Sequence, residues 1–190
     1  MHNVMLDLET MGKGPRAAIV TIGAVFFDPM TGELGAEFEA HINLSDSARF
    51  GEMDPDTVLW WLEQSDEARA ALKPSVKHCS LSDALARLYE WMQNGNKGGK
   101  PDLQVWGNGA GFDNVILRNA YQETRMPLGW AFWNDRDVRT IVELGRHMRG
   151  FDPKKDMPFE GVAHRALDDA KHQARYVSAI YQALMVGGAE

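Results

Sequence analysis

The chain has 190 residues, 44% of them hydrophobic, which suffices to bury one sizeable core and favours a single domain over residues 1–190. Its formal net charge of −7 speaks against a protein that holds nucleic acid through an overall basic surface, and its one cysteine, Cys79, excludes an internal disulfide framework and fits a reducing cytoplasm. No basic leader with an apolar core opens the sequence, and the longest apolar stretch, Ala17 to Phe27, is broken by Thr21 and Gly23 and is too short to span a bilayer, so a cytoplasmic protein without membrane contact is expected.

The first element, Asn3 to Glu9, is a short apolar run that reads as a buried strand. Alternation along a strand projects Asp7 and Glu9 from one face and Leu6 and Leu8 from the other. Two carboxylates crowded on one face repel each other, and a hard divalent cation with oxygen ligands, Mg²⁺ or Mn²⁺, would offset that repulsion. At this point a strand end whose acids face water is an equal reading. Ala17–Phe27 and Phe38–Ile42 read as two further strands, joined through the turn Asp28–Gly32 into an antiparallel meander. Asp54-Pro55 signals a helix start, and the adjacent Trp60 and Trp61 on that helix point about 100° apart, so one can pack while the other offers a stacking surface to a base. A second helix, Leu81 to Met92, aligns Leu81, Leu85, Leu88 and Trp91 or Met92 on one face and closes at Gly95, before a glycine- and lysine-rich loop, Gly95 to Pro101.

Strand Leu103–Trp106 leads through the glycine-rich turn Gly107–Gly111 into a helix, Phe112 to Tyr121, with Phe112, Ile116, Leu117 and Ala120 on one face. Asp113 opens that helix, where an acid commonly serves as a cap or a partner of the helix dipole. A short strand near Phe132–Val138, a helix over 140–149 and a C-terminal helix complete an α/β alternation; the last helix repeats Ala166, Ala170, Ala174, Val177 and Ile180 or Tyr181. His164 lies in the loop before it and Asp169 in its first turn, so both can reach one point in space. Residues 136–156 gather Arg136, Arg139, Arg146, Arg149, Lys154 and Lys155 against Asp137, Glu143, Asp152 and Asp156, either a solvated face or a strip for phosphates.

Asp7-Leu8-Glu9-Thr10, Asn108 to Asp113 and His164 to Asp169 together resemble the three motifs of the DnaQ-like 3′→5′ exonucleases of the DEDD group, in the histidine form of the third motif. The resemblance covers nearly the whole chain, and Thr57–Trp61 and Phe132–Thr140 are similar to the phage exonuclease A and RNase T-like branch. It implies an α/β, RNase H-like fold with a mixed central sheet flanked by helices. It also implies a metal-dependent exonuclease that acts on nucleic acid with a free 3′ end, DNA slightly ahead of RNA, and releases nucleoside 5′-monophosphates. Two divalent ions, Mg²⁺ or Mn²⁺, would share Asp7, with Glu9 and Asp169 completing one site and Asp113 reaching the other directly or through water. His164 is implied as general base, a role that suits an imidazole titrating near working pH. The family spacing selects Asp169 and leaves Asp168 as a helix N-terminal charge or a supporting group. Thr10 and Met11 would lie beside the terminal sugar, Thr10 on its 3′ hydroxyl and Met11 as a base wedge, with Asn108, Trp60 and Trp61 as further substrate contacts. Two divalent ions would cancel the four ligand carboxylates and bring the net charge from −7 to −3. A hydrolase of short oligoribonucleotides and, in another class, a proofreading or accessory nucleic-acid-binding module dependent on a polymerase are the competing readings; a homo-oligomer is compatible with all of them.

Overall fold

A computed structural model describes residues 1–73, 77–96, 98 and 102–185. Five strands, β1 (Asn3–Thr10), β2 (Ile19–Phe27), β3 (Leu34–His41), β4 (Gln104–Gly107) and β5 (Asp135–Asp137), form one sheet in the order β3-β2-β1-β4-β5. The β3-β2-β1 part is an antiparallel meander, and β4 and β5 run parallel to β1, so the sheet is mixed as the family resemblance implies. The helices are α1 (Leu44–Ser47), α2 (Pro55–Glu63), α3 (Leu81–Gly95), α4 (Asp113–Glu123), α5 (Val138–Arg149), α6 (Pro153–Asp156) and α7 (Ala166–Met185).

Strand alternation sorts the core into two layers. Val4, Leu6 and Leu8 of β1 pack with Leu85 and Leu88 of α3 and Ile116 and Leu117 of α4, while Met5 packs on the opposite face with Val142 of α5 and Ala170, Ala174, Val177 and Ile180 of α7. Each fully buried large aliphatic side chain contributes roughly 1.5–3 kcal/mol, which fixes both the register and the facing of β1. A smaller third cluster, including Met11, Val20, Trp61 and Ala68, closes the end of the sheet beyond β1.

Local signals set the helix starts. Asp54 caps α2 by accepting from the backbone of Asp56 and Thr57, Pro55 opens it, and Ser80 caps α3 by accepting from Asp83. Of the alternatives on α3, Met92 is fully buried. The boundaries differ from expectation where long-range pairing decides. β3 starts at Leu34, four residues before Phe38, because Leu34 pairs with Phe27 along a stretch whose residues 34–37 are partly or fully exposed and carry no apolar alternation. β5 is only Asp135–Asp137, since Phe132–Asn134 forms a 3₁₀ turn with Phe132 and Trp133 exposed. α5 begins at Val138, where Asp137 caps it by accepting from the Thr140 amide at 2.9 Å. Of the expected loop Gly95–Pro101, Gly95 is the last residue of α3, and Lys97, Gly99, Lys100 and Pro101 lie outside the described residues. No helix among the described residues is long and apolar enough to cross a membrane.

Candidate active site

The layer sorting that buries Leu6 and Leu8 turns Asp7 and Glu9 toward the α5 and α7 side of the sheet. Immediately after Glu9 the pairing slips: Glu9 faces Thr21 but Thr10 faces Ile19, a bulge that bends the strand end at the two acids. Opposite Asp7 in register stands Gly23. A Cβ there would overlap the backbone of Ala166 and Leu167, so only glycine lets the first turn of α7 lie directly on β2. That close approach brings in Asp169, and one carboxylate oxygen from each of Asp7, Glu9 and Asp169 lies within 4.8 Å of the others.

Asp113 stands beside this triad. β4 pairs with β1 only as far as Leu6 with Gly107, and the next inward amide, that of Leu8, donates instead to Asp113 Oδ1 at 3.2 Å. The acid at the start of α4 therefore continues the sheet's hydrogen bonding and is held against β1, 4% exposed.

Crowding shows in the titration of these groups. Burial, then the charges of Asp113, Glu9 and Asp169, push Asp7 well above the usual carboxylate range, against a hydrogen bond from Gln173. Burial and the Asp169 and Asp113 carboxylates push Glu9 up to about 9. Burial lifts Asp113 to about 6 against hydrogen bonds from backbone amides such as that of Leu8, and Asp169 is raised by burial despite hydrogen bonding from the His164 backbone. Asp169 Oδ2 is buried without a hydrogen-bond partner. Clustered hard oxygen donors that disfavour one another's charge, one of them with an unpartnered oxygen, fit a divalent cation such as Mg²⁺ or Mn²⁺.

His164 sits on the loop before α7 in a left-handed conformation, φ 64°, exposed at the rim of the triad. The Trp60 ring stands edge-on to its imidazole with centroids 5.2 Å apart. The two adjacent tryptophans differ in burial. Trp61 is 2% exposed and donates through Nε1 to the Thr10 carbonyl at 3.0 Å, whereas Trp60 is 39% exposed and free to stack. Thr10 is buried, with its hydroxyl donating to the Gly12 carbonyl at 2.8 Å. Met11 departs from expectation: at 3% exposed it is a core side chain packed among Ala18, Val20 and Trp61, and presents no surface with which to wedge a base. Asn108 lies on the turn before Asp113, where its Oδ1 accepts from Lys154 Nζ at 3.4 Å. Asp168 supports the His164 loop, accepting the Val162 amide at 3.0 Å and facing Arg165 at 3.8 Å.

One contributor escapes the motif reading. Gln173 Nε2 donates to Asp7 Oδ1 at 2.8 Å and orients the central carboxylate. The signal was present in its spacing, since residue 173 follows Asp169 by four and shares its helix face, whereas His172 is turned to Phe159 and Tyr176, with ring centroids at 4.8 and 5.3 Å. Beside Glu9 and His164 opens a cavity of about 350 Å³, lined also by Thr21, His41, Ala68 and Val162.

A family model described as a 3′-5′ exoribonuclease Rv2179c-like domain matches residues 2–181. The chain belongs to that family. Among curated proteins, the exodeoxyribonuclease of Enterobacteria phage T4 is 28% identical over 193 residues, spanning 89% of this chain and 84% of its own length. Among solved structures, the nuclease domain of 3′hExo, a DEDDh family member bound to rAMP, superposes with a TM-score of 0.64 at 16% identity over 97% of this chain and 92% of that one. E. coli exonuclease I in complex with a dT13 oligonucleotide gives 0.68 at 17% identity over 97% of this chain but 42% of its own. The fold of this Rv2179c-like domain is thus that of the RNase H-like DEDDh exonucleases, and the chain is a DnaQ-like 3′→5′ exonuclease with an acidic site suited to divalent metal.

Proposed function

We propose that the domain removes nucleotides one at a time from the 3′ end of nucleic acid and releases nucleoside 5′-monophosphates. The observation that carries this reading is the convergence of Asp7, Glu9 and Asp169 within 4.8 Å, with Asp113 and His164 beside them. Asp7, Glu9 and Asp169 would hold one divalent ion, and Asp7 with Asp113 a second; Mg²⁺ or Mn²⁺ there supplies Lewis acidity toward the scissile phosphate and the departing 3′ oxygen. Asp7 is fixed for this by Gln173, and Asp113 by the Leu8 amide. An imidazole nitrogen of His164 accepts a proton from the attacking water as its oxygen bonds to phosphorus and the bond from phosphorus to the 3′ oxygen breaks. The shortened chain takes up a proton as its new 3′ hydroxyl. The terminal nucleoside occupies the cavity beside Glu9 and His164, with the Trp60 face available to its base.

The sugar has two supports pointing apart: the phage relative is named an exodeoxyribonuclease, and the family is described by exoribonuclease activity. The test is digestion of 5′-labelled DNA and RNA oligomers of matched sequence in Mg²⁺, Mn²⁺ or EDTA. A metal-dependent ladder shortening from the 3′ end, abolished in Asp7→Ala and reduced about 10²- to 10⁴-fold in His164→Ala, is expected, and relative rates name the sugar. No ladder on either substrate with folded protein refutes the stand-alone exonuclease and favours an accessory module.

A further inference from the structure

The chain is acidic overall, yet three cations meet beside the turn that delivers Asp113. Lys154 of α6 donates to Asn108 Oδ1 at 3.4 Å. Arg139 of α5 lies against Gly109, whose φ of 110° belongs to glycine and where a Cβ would come within 3.1–3.3 Å of the guanidinium. Arg146 is the third, and it is neutralised by Asp152 at 2.7 Å.

Arg139 and Lys154 have no such partner: among the described residues neither has a carboxylate within ion-pair distance. The acid nearest Arg139 in sequence, Asp137, is committed to backbone amides, accepting from Ala110 at 2.7 Å and Thr140 at 2.9 Å. Partial burial and the neighbouring Arg139 and Arg146 push the Lys154 ammonium below its ordinary value, against a weaker pull from Asp152 and Asp137. Exposed cations that repel one another and lack a carboxylate constitute a site for an external anion. The Gly109 carbonyl in turn accepts the amide of Phe112, the residue before Asp113, at 2.7 Å, which places the pair at the border of the acidic site.

We propose that Arg139 and Lys154 form a phosphate subsite that grips the phosphodiester backbone on the retained side of the scissile bond, across the Asn108–Gly109 turn from the terminal nucleoside. The subsite rests on the exonuclease reading above. It reads phosphates and is indifferent to sugar and base.

The test compares a pentathymidylate with thymidine 5′-(4-nitrophenyl phosphate), which has no nucleotide on the leaving side, in Mn²⁺. Arg139→Gln with Lys154→Gln raises KM on the pentamer by about 10-fold per cation removed, and the loss on the nitrophenyl ester is smaller by at least 10-fold. The salt slope of log kcat/KM on the oligomer falls by ~0.7 per contact removed. Arg87→Gln, an exposed cation on α3 in the layer across the sheet from α5, keeps the wild-type values, and circular dichroism checks folding of each variant. Equal losses on the two substrates, or an unchanged salt slope, overturn the subsite. Should the wild-type protein cleave neither these substrates nor the matched RNA oligomer in Mg²⁺ or Mn²⁺, the exonuclease reading fails separately, and fluorescence anisotropy with a labelled decathymidylate in Ca²⁺ decides the subsite. Binding at least 10-fold weaker in the double variant sustains it, and equal binding overturns it.

Discussion

Glu9→Gln is expected to stabilise the metal-free protein while destroying the metal site. Glu9 is 9% exposed, and burial with the Asp169 and Asp113 charges holds its proton until pH rises to about 9, against an ordinary value of 4.5. Between those values the folded chain binds a proton that the unfolded chain releases, so stability contributed by the protonated group is full below pH 4.5 and declines as pH rises toward 9. At pH 7 the folded carboxyl is still protonated while its unfolded counterpart is ionised, a penalty of about 3 kcal/mol at roughly 1.4 kcal/mol per pH unit. Glutamine keeps the size and stays neutral at every pH. Urea denaturation in EDTA at pH 4.5, 7 and 9 is the assay: the variant should exceed wild type by about 3 kcal/mol at pH 7, with the gap closing toward pH 4.5. In saturating Mg²⁺ the order should reverse, since only the wild-type site gains binding free energy. A variant no more stable than wild type in EDTA at pH 7, or a gap independent of pH, refutes the claim that these carboxylates are held together at electrostatic cost.

Two further substitutions test how the site is built. Gln173→Leu removes the donor to Asp7 Oδ1 and should weaken Mn²⁺ affinity about 10- to 100-fold by calorimetric titration, whereas unchanged affinity would show that Asp7 is oriented by other means. Gly23→Ala sets a methyl group against the Ala166 and Leu167 backbone; it should cost about 1–3 kcal/mol in urea denaturation and weaken metal binding with it, because the displaced α7 carries Asp169. Wild-type stability and affinity together would show that α7 does not dock at Gly23.

Those elements were legible in the sequence whose signals are local. The alternation of β1 names the faces of Asp7 and Glu9 before any partner strand is known, and Asp54-Pro55 marks a helix start by chemistry confined to four residues. The three acidic motifs were legible only in conjunction, since each alone has a bland reading and the resemblance to the DnaQ-like exonucleases is what joins them. What escaped depends on contacts distant in sequence. The first half of β3 is defined by pairing with β2 and carries no pattern of its own. Met11 follows the first motif directly, and the family resemblance placed it beside the terminal sugar. Its burial comes instead from Trp61, fifty residues on, whose indole ties down the Thr10 carbonyl and closes a small core over the strand end. Gln173 was within reach of helical spacing, but an amide carries no metal-ligand signature, and only its 2.8 Å contact with Asp7 reveals the role.

The charge of −7 and the handling of a polyanion are reconciled by where the cations are placed. Most arginines near the sheet are engaged: Arg118 with Asp135 at 2.8 Å, Arg165 on both oxygens of Glu39 at 3.1 and 3.0 Å, Arg175 with Glu160 at 2.9 Å. Such pairs contribute little to stability but remove positive potential from the surface they cover. The acids of the site are themselves a negative field, so a phosphate can approach only where a cation is left uncompensated or where divalent ions have loaded the carboxylates. Arg139 and Lys154 meet the first condition and the acidic triad with Asp113 meets the second, at opposite ends of one short turn. An enzyme gripping a few terminal nucleotides needs no more than that. On the exonuclease reading, the acidic remainder of its surface disfavours long non-specific contacts with nucleic acid.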